Sequence, residues 1–286
     1  MRRAILIACT VLLLAAVLVL IAGATLSGSA RRVVGQPPAV LGAVPIRLPV
    51  TAADSVAGWF ARGAGRGAVL LLHGVRADRT QMLGRARFLR DAGYSVLLID
   101  LAAHGESSGD RIGFGLREAA GVTAALRFLR VELPGERVGA IGVSLGAAAL
   151  VFARPSPPLQ AMVLESLYPT IAEAVTNRLE QRLGPVGPAL APLLLWQLPL
   201  RLDVSANDLR PVAAVPELAS ALLVASGTHD RHTTWPETER IFAAGQEPKE
   251  LWAVQGAAHV DLHAHDPVAY QARILAFFSR HLRHPD

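Results

Sequence analysis

The 286-residue chain is 52% hydrophobic and 18% charged, which excludes a disordered or fibrous protein and suggests one large domain or two small ones. Its formal net charge is +5, but Arg2, Arg3, Arg31 and Arg32 flank the first apolar segment with no acid between them. The remainder carries 24 basic against 23 acidic residues, so no basic stripe argues for nucleic acid as a partner.

Residues Ala4 to Leu26 carry no charge. As a helix they would extend ~34 Å, enough to cross a bilayer. A secretory signal needs an apolar core of only about 7–15 residues. Length therefore favours an uncleaved single-pass anchor over residues 1–26, with the rest of the chain on the extracytoplasmic side. Ala22-Gly23-Ala24 offers the rival reading, an A-x-A cleavage site and a secreted protein. Cys9 falls inside this segment and is the only cysteine, so no intrachain disulfide is possible. Residues 27–44, with Gly, Ser, Ala and Pro37-Pro38, read as a linker.

From Pro45 strand-like and helix-like stretches alternate. Ile46–Val50 and Val56–Ala61 form a candidate hairpin. Ala68–Leu72 is an unbroken aliphatic run, as in a strand buried on both faces. A helical stretch, Thr80–Ala92, leads to a second buried strand, Ser95–Ile99. Leu116–Leu133 is amphipathic at helical spacing and precedes the strand Arg137–Ile141. Further strands fall at Ala161–Leu164, Ala221–Ser226 and Glu250–Val254. This alternation predicts an α/β fold, a mostly parallel sheet with helices on both faces.

Residues 166–212 interrupt the alternation. Leu183–Leu200 is uncharged, but Pro185, Pro188, Pro192 and Pro199 would each break a membrane helix. A broken apolar cap fits better, with Leu193, Leu194, Leu195, Trp196 and Leu198 lining a pocket or packing the cap down.

The chemistry centres on Gly142-Val143-Ser144-Leu145-Gly146, set between a strand and a small-residue helix. A serine at such a corner is the pattern of a nucleophile elbow, and the flanking glycines remove Cβ atoms that would collide. Four motifs in order make the chain from about Pro45 to Leu282 resemble an α/β-hydrolase. These are His73-Gly74-Val75; the stretch from Asp100 to Ser107; the elbow; and the pair Gly227-Thr228-His229-Asp230 and Gly256-Ala257-Ala258-His259. The layout is similar to the monoacylglycerol-lipase and serine-aminopeptidase-like branch that includes BEM46-type hydrolases, although Ala102-Ala103 stands where Arg-Gly is usual.

The resemblance implies an α/β-hydrolase domain over residues 45–286, with the cap inserted after the sixth strand. Ser144 would be the nucleophile, His259 the base and Asp230 the acid. The backbone N–H groups of Val75 and Leu145 would form the oxyanion hole. The chain order Ser, Asp, His agrees, and each residue follows the C-terminal end of an expected strand.

Rivals exist at each place. Glu165 also ends a strand, but Asp230 has the Gly-x-x-Asp context. Asp261 and Asp266 lie too near His259 in sequence, and Asp266 before Pro267 reads as a helix cap. His73 is expected to brace the oxyanion loop and His104 the loop after its strand; His281 and His284 belong to the tail. The run His259, Asp261, His263, His265, Asp266 invites a metal reading, which the triad reading outweighs. No metal or cofactor motif is otherwise present.

The function expected is a membrane-tethered serine esterase acting on lipid-like or medium-chain acyl esters through an acyl-serine intermediate. The alternatives are an amidase or peptidase of the serine-aminopeptidase type and a non-catalytic membrane-tethered ligand-binding protein. Sequence alone leaves the oligomeric state open.

Overall fold

The computed structural model describes residues 2–283; His284 lies outside the described residues. Helix α1 (Arg2–Ser27) is followed by strands β1 (Ala30–Arg31), β2 (Val44–Pro49), β3 (Ser55–Ala61) and β4 (Ala68–Leu72). Helix α2 (Leu83–Asp91) leads to β5 (Ser95–Ile99) and β6 (His104–Gly105), and α3 (Ala119–Glu132) to β7 (Val138–Val143). Then come α4 (Leu145–Ala153), β8 (Ala161–Glu165) and the cap helices α5 (Ile171–Leu183), α6 (Ala191–Leu195) and α7 (Leu198–Leu202). Helix α8 (Pro211–Ala214), β9 (Ala221–Gly227), α9 (Trp235–Ala244), β10 (Lys249–Val254), α10 (Leu262–His265) and α11 (Pro267–Leu282) complete the chain.

Eight strands form one sheet in the order β10-β9-β8-β7-β4-β5-β3-β2. All neighbours pair in parallel except β3, which runs antiparallel to both β2 and β5. The aliphatic runs of β4, β5, β7, β8 and β9 are buried throughout, because both faces of the sheet are covered. One core packs α3 and α4 against one face; the other packs α2 and α11 against the opposite face.

The predicted hairpin is present as β2–β3. The helix expected from Leu116 begins at Ala119 instead. Ahead of it, the buried Glu118 carboxylate accepts from the N–H groups of Gly113 and Gly115, so these residues form a turn rather than a first helical turn. The cap follows the sixth strand of the large sheet. Its prolines break it into α5, a 3₁₀ stretch (Gly184–Leu190), α6 and α7.

The N-terminal expectation needs correction. Among the described residues no helix is long and apolar enough to cross a membrane. The C-terminal third of α1 belongs to the domain: Gln197 Nε2 donates to the Val19 carbonyl at 3.0 Å, and an Arg201 guanidinium N–H donates to the Leu20 carbonyl at 2.7 Å. Gly23 and Ser27 are buried there. What precedes the docked part, Ala4–Leu18, would rise only ~22 Å, short of the ~30 Å hydrocarbon core. The single-pass anchor is therefore overturned, and with it the extracytoplasmic placement of the domain that rested on it. The segment 27–44, expected as a linker, also lies against the body: β1 pairs with β6, and Leu41 is fully buried.

Candidate active site

Six parallel strands end at one edge of the sheet and deliver the chemically capable groups there. At the end of β7 the chain turns at Ser144, whose backbone sits at φ 50° and ψ −106°. A non-glycine residue held in such a conformation carries strain, and strain of this kind collects at functional sites. The corner is tight. A Cβ on Gly146 would lie 2.5 Å from the Leu72 carbonyl, and one on Gly142 would lie 2.6 Å from the Ala147 backbone. Glycine at both positions is therefore a steric requirement of the turn. The Ser144 N–H donates to the Glu165 carbonyl at 2.8 Å, which locks the corner to the end of β8.

The Asp230 loop follows β9. The carboxylate is buried and closely held. Oδ1 accepts from the N–H groups of His232 (2.8 Å) and Thr233 (2.9 Å). Oδ2 accepts from the Thr233 hydroxyl (2.8 Å), from Ser226 Oγ (3.4 Å) and from His259 Nδ1 (2.8 Å). Burial alone would push its pKa up. The His259 hydrogen bond and charge, with the Thr233 donors, outweigh burial and bring it down to about 2. Asp230 is thus an acceptor only, so His259 must carry its proton on Nδ1. That leaves the His259 Nε2 without a hydrogen-bond partner among the described residues, on a side chain 21% exposed. Among the described residues Ser144 Oγ makes no hydrogen bond; in empty sites such contacts commonly close only around substrate.

The backbone N–H groups of Val75, past the end of β4, and Leu145, at the start of α4, also donate no hydrogen bond among the described residues. They are available to an oxyanion, and Leu145 adds the positive end of a helix.

The remaining histidines separate by their partners. His73 is buried; Nδ1 faces the Gly74 carbonyl at 2.7 Å and Nε2 accepts from the Leu101 N–H at 3.0 Å. Burial and the neighbouring His104 bring its pKa down to about 3, so it braces the loop as a neutral ring. His104 does the same one loop away, with Nε2 accepting from the Arg76 N–H at 3.0 Å and Nδ1 against the Ala102 carbonyl. Next to it Ala103 adopts φ 62°, the left-handed conformation for which the related motif uses glycine. His263 stacks on Phe88, and His265 Nε2 lies 3.0 Å from the Gln255 carbonyl. Asp261 caps α10 and pairs with Arg85 at 2.8 Å, and Asp266 caps α11. The run that invited a metal reading is therefore scattered, and no group of three metal-ligating side chains occurs among the described residues.

Glu165, the rival acid, makes no hydrogen bond to His259 among the described residues. Its carboxylate takes Arg85 Nη2 at 2.6 Å, Arg85 Nε at 3.2 Å and a short bond from the Tyr270 hydroxyl. It is the centre of a buried ion pair. Sequence reasoning passed over His232, whose ring lies 4.9 Å from the His259 ring, edge to face. Burial, with the charges of His259 and Arg178, brings its pKa down to about 4, so it is a neutral packing wall beside His259. Its place two residues after Asp230 was the available signal.

The cap contributes unevenly. Leu198 is buried, and Leu195 and Val175 are partly buried beside Ile171 and Phe114. Leu193 and Trp196 face outward, with Trp196 67% exposed, which corrects the expectation that both line a pocket or pack the cap.

Residues 69–273 match the alpha/beta hydrolase family. An uncharacterized protein of Mycobacterium tuberculosis is 31% identical over 209 residues, covering 71% of this chain and 68% of that protein. The uncharacterized Bacillus subtilis protein YqkD is 23% identical over 217 residues, 73% and 70% of the two chains. Among solved structures, the Pyrococcus furiosus esterase Pf2001 superposes with a TM-score of 0.74 at 21% identity, over 90% of this chain and 98% of that one. An esterase from Exiguobacterium antarcticum gives 0.61 at 15% identity, over 81% and 98%. These matches reach the superfamily and not the narrower BEM46-type branch.

Proposed function

The chain belongs to the alpha/beta hydrolase family, and on that premise we propose that it is a serine hydrolase of carboxylic esters, with its hydrolase domain over residues 45–286 and its cap over 166–212. The observation that carries this reading is the 2.8 Å bond from His259 Nδ1 to the fully held Asp230 carboxylate, at the same sheet edge as the strained Ser144 corner. The esterase fold of the solved neighbours supports the reaction class.

In this reading His259 Nε2 takes the proton of Ser144 Oγ as the oxygen attacks the ester carbonyl carbon. The carbonyl oxygen becomes anionic and receives the N–H groups of Val75 and Leu145, each worth about 3–4 kcal/mol in comparable sites. The intermediate collapses when His259 returns the proton to the leaving alkoxide, leaving an acyl-Ser144 and an alcohol. Water then attacks the acyl carbon and gives its proton to His259, which passes it to Ser144 Oγ as the acyl–oxygen bond breaks and the acid departs. Asp230 holds the imidazole in the required tautomer and stabilises its cation. The apolar pocket that Val175, Leu195 and Leu198 of the cap form with Phe114 and the end of α1 favours a medium-chain or lipid-like acyl group.

The test is labelling by a serine-directed fluorophosphonate together with p-nitrophenyl butyrate hydrolysis. Wild type is expected to label once, at Ser144, and to turn over the ester. Ser144→Ala should lose both while keeping its unfolding midpoint, since the smaller side chain fits the same turn. A wild-type chain that neither labels nor hydrolyses would be a ligand-binding protein on a hydrolase scaffold.

A further inference from the structure

The cap helix α5 is fastened to the loop that carries the acid. Asn177 Nδ2 donates to the His232 carbonyl at 3.2 Å and to Glu237 Oε1 at 2.9 Å. One turn on, Gln181 Nε2 donates to the Arg231 carbonyl at 2.6 Å. Beside each amide stands an arginine, Arg178 and Arg182.

Arg178 is half-buried, and among the described residues it makes no hydrogen bond and no ion pair. The nearby carboxylates are already committed. Glu173 pairs with Arg240 at 2.6 Å, Glu237 takes Asn177 and the Thr234 N–H, and Asp230 is filled by the donors given above. Burial pulls the Arg178 guanidinium below the ordinary arginine value, and the like charge of Arg182 adds to this, against Asp230 and Tyr168. The charges of Arg178 and Arg182 both act on His232, which packs against His259. Two like charges one helical turn apart disfavour one another. A guanidinium offers five donors in a planar fork, and those of Arg178 are spent on no protein acceptor among the described residues.

We propose that Arg178, with Arg182 one turn further along α5, binds an anionic carboxylate or phosphoryl group on the alcohol portion of the ester substrate. The side follows from the mechanism. His259 hands its proton to the leaving alkoxide, so what surrounds the outer edge of His259 faces the alcohol, not the acyl chain. Arginine suits the role because its planar fork meets two oxygens of such a group at once. The proposal rests on the serine-hydrolase reading of Ser144.

The experiment compares kcat/KM for two esters of one acyl group, the butyrates of 4-hydroxyphenylacetate and 4-hydroxyphenylacetamide. They share shape and differ in charge. Wild type is expected to prefer the anionic ester at least tenfold, mainly through KM, and the preference should shrink with added salt. Arg178→Gln should reduce that ratio at least tenfold, Arg182→Gln less, and Arg178→Lys should restore part of it. A parallel ester of 4-hydroxybenzylphosphonate separates the two anions, the larger ratio naming the group. A wild-type ratio near one, or an equal loss on charged and neutral esters, would overturn the anion site while leaving the hydrolase intact. A preference seen only when the charge is on the acyl side would overturn the assignment to the alcohol. Absence of both turnover and fluorophosphonate labelling would overturn the hydrolase reading and this proposal with it.

Discussion

Strands β8 and β9 lie side by side, and each is followed or ended by a carboxylate, Glu165 on one and Asp230 past the other. Both are buried at the same edge of the sheet, within reach of the Ser144 corner. Their partners make them opposites. Glu165 is sealed between Arg85 and Tyr270, two side chains brought from α2 and α11. Asp230 is held by hydroxyl and backbone donors of its own loop, which leaves one oxygen face for His259. A cation neutralises the first and ties it into the scaffold. The second stays ionised chiefly through its bond to His259, with the neutral Thr233 donors helping, so its charge serves the histidine. Location at a strand end makes a carboxylate eligible; the company it keeps assigns its work.

The sharpest way to break this comparison is to neutralise each acid in turn. Asp230→Asn should lower kcat about 10⁴-fold, because an amide can hold the wrong imidazole tautomer. Glu165→Gln should leave kcat within roughly tenfold but lower stability by about 3 kcal/mol, since Arg85 loses a buried counter-charge. Ester kinetics and urea unfolding on the two variants check both arms. If Glu165→Gln takes the larger loss in kcat, the roles are reversed.

The sequence marks the candidate residues but not the contrast between the two acids. The Ser144 corner, Asp230 and His259 were legible because each is encoded by neighbours in sequence: flanking glycines, a Gly-x-x-Asp loop, a strand end. The parallel sheet was legible because its strands are aliphatic on both faces. What stayed hidden depends on partners far apart in the chain. Nothing near Glu165 announces Arg85, 80 residues earlier, or Tyr270, 105 residues later. Nothing near Arg178 shows that the acids around it are taken. The first apolar segment misled because hydropathy counts its residues without seeing that Gln197 and Arg201 hold its end.

Acid titration sharpens the comparison on a smaller scale. The Asp230 pKa is held at about 2, below its ordinary value of 3.8. Its native pKa is the lower one, so the ionised group stabilises the fold above pH ~4, and that contribution is lost as pH falls toward 2. The stability gap between wild type and Asp230→Asn should therefore shrink by about 1.5 kcal/mol between pH 5 and pH 2.5. Urea midpoints across that range measure it. A gap that stays constant or widens on acidification would mean that Asp230 is not held down by its partners in solution.

The weakest expected effect concerns the cap, which leans on the Asp230 side of the edge through Asn177 and Gln181. Val175, Leu195 and Leu198 line an apolar pocket with Phe114 and with Gly23 and Leu26 of α1, and Phe114 also packs on the core that contains Leu145. An acyl chain that reached past Phe114 from Ser144 would enter this pocket. Each methylene removed from water there should contribute about 0.8 kcal/mol, a roughly fourfold gain in kcat/KM per added CH₂ until the surface is covered. Leu195→Ala with Val175→Ala should flatten the rise from acetate through butyrate to octanoate esters, and spare acetate, whose chain is too short to reach the cap. Trp196→Ala should leave the slope as it is, because the indole faces solvent. The measurement is kcat/KM for the three esters, kept below micelle-forming concentrations. A wild-type slope of zero would remove the medium-chain reading, whereas an equal loss on all three esters would show that Leu195 and Val175 only hold the cap together.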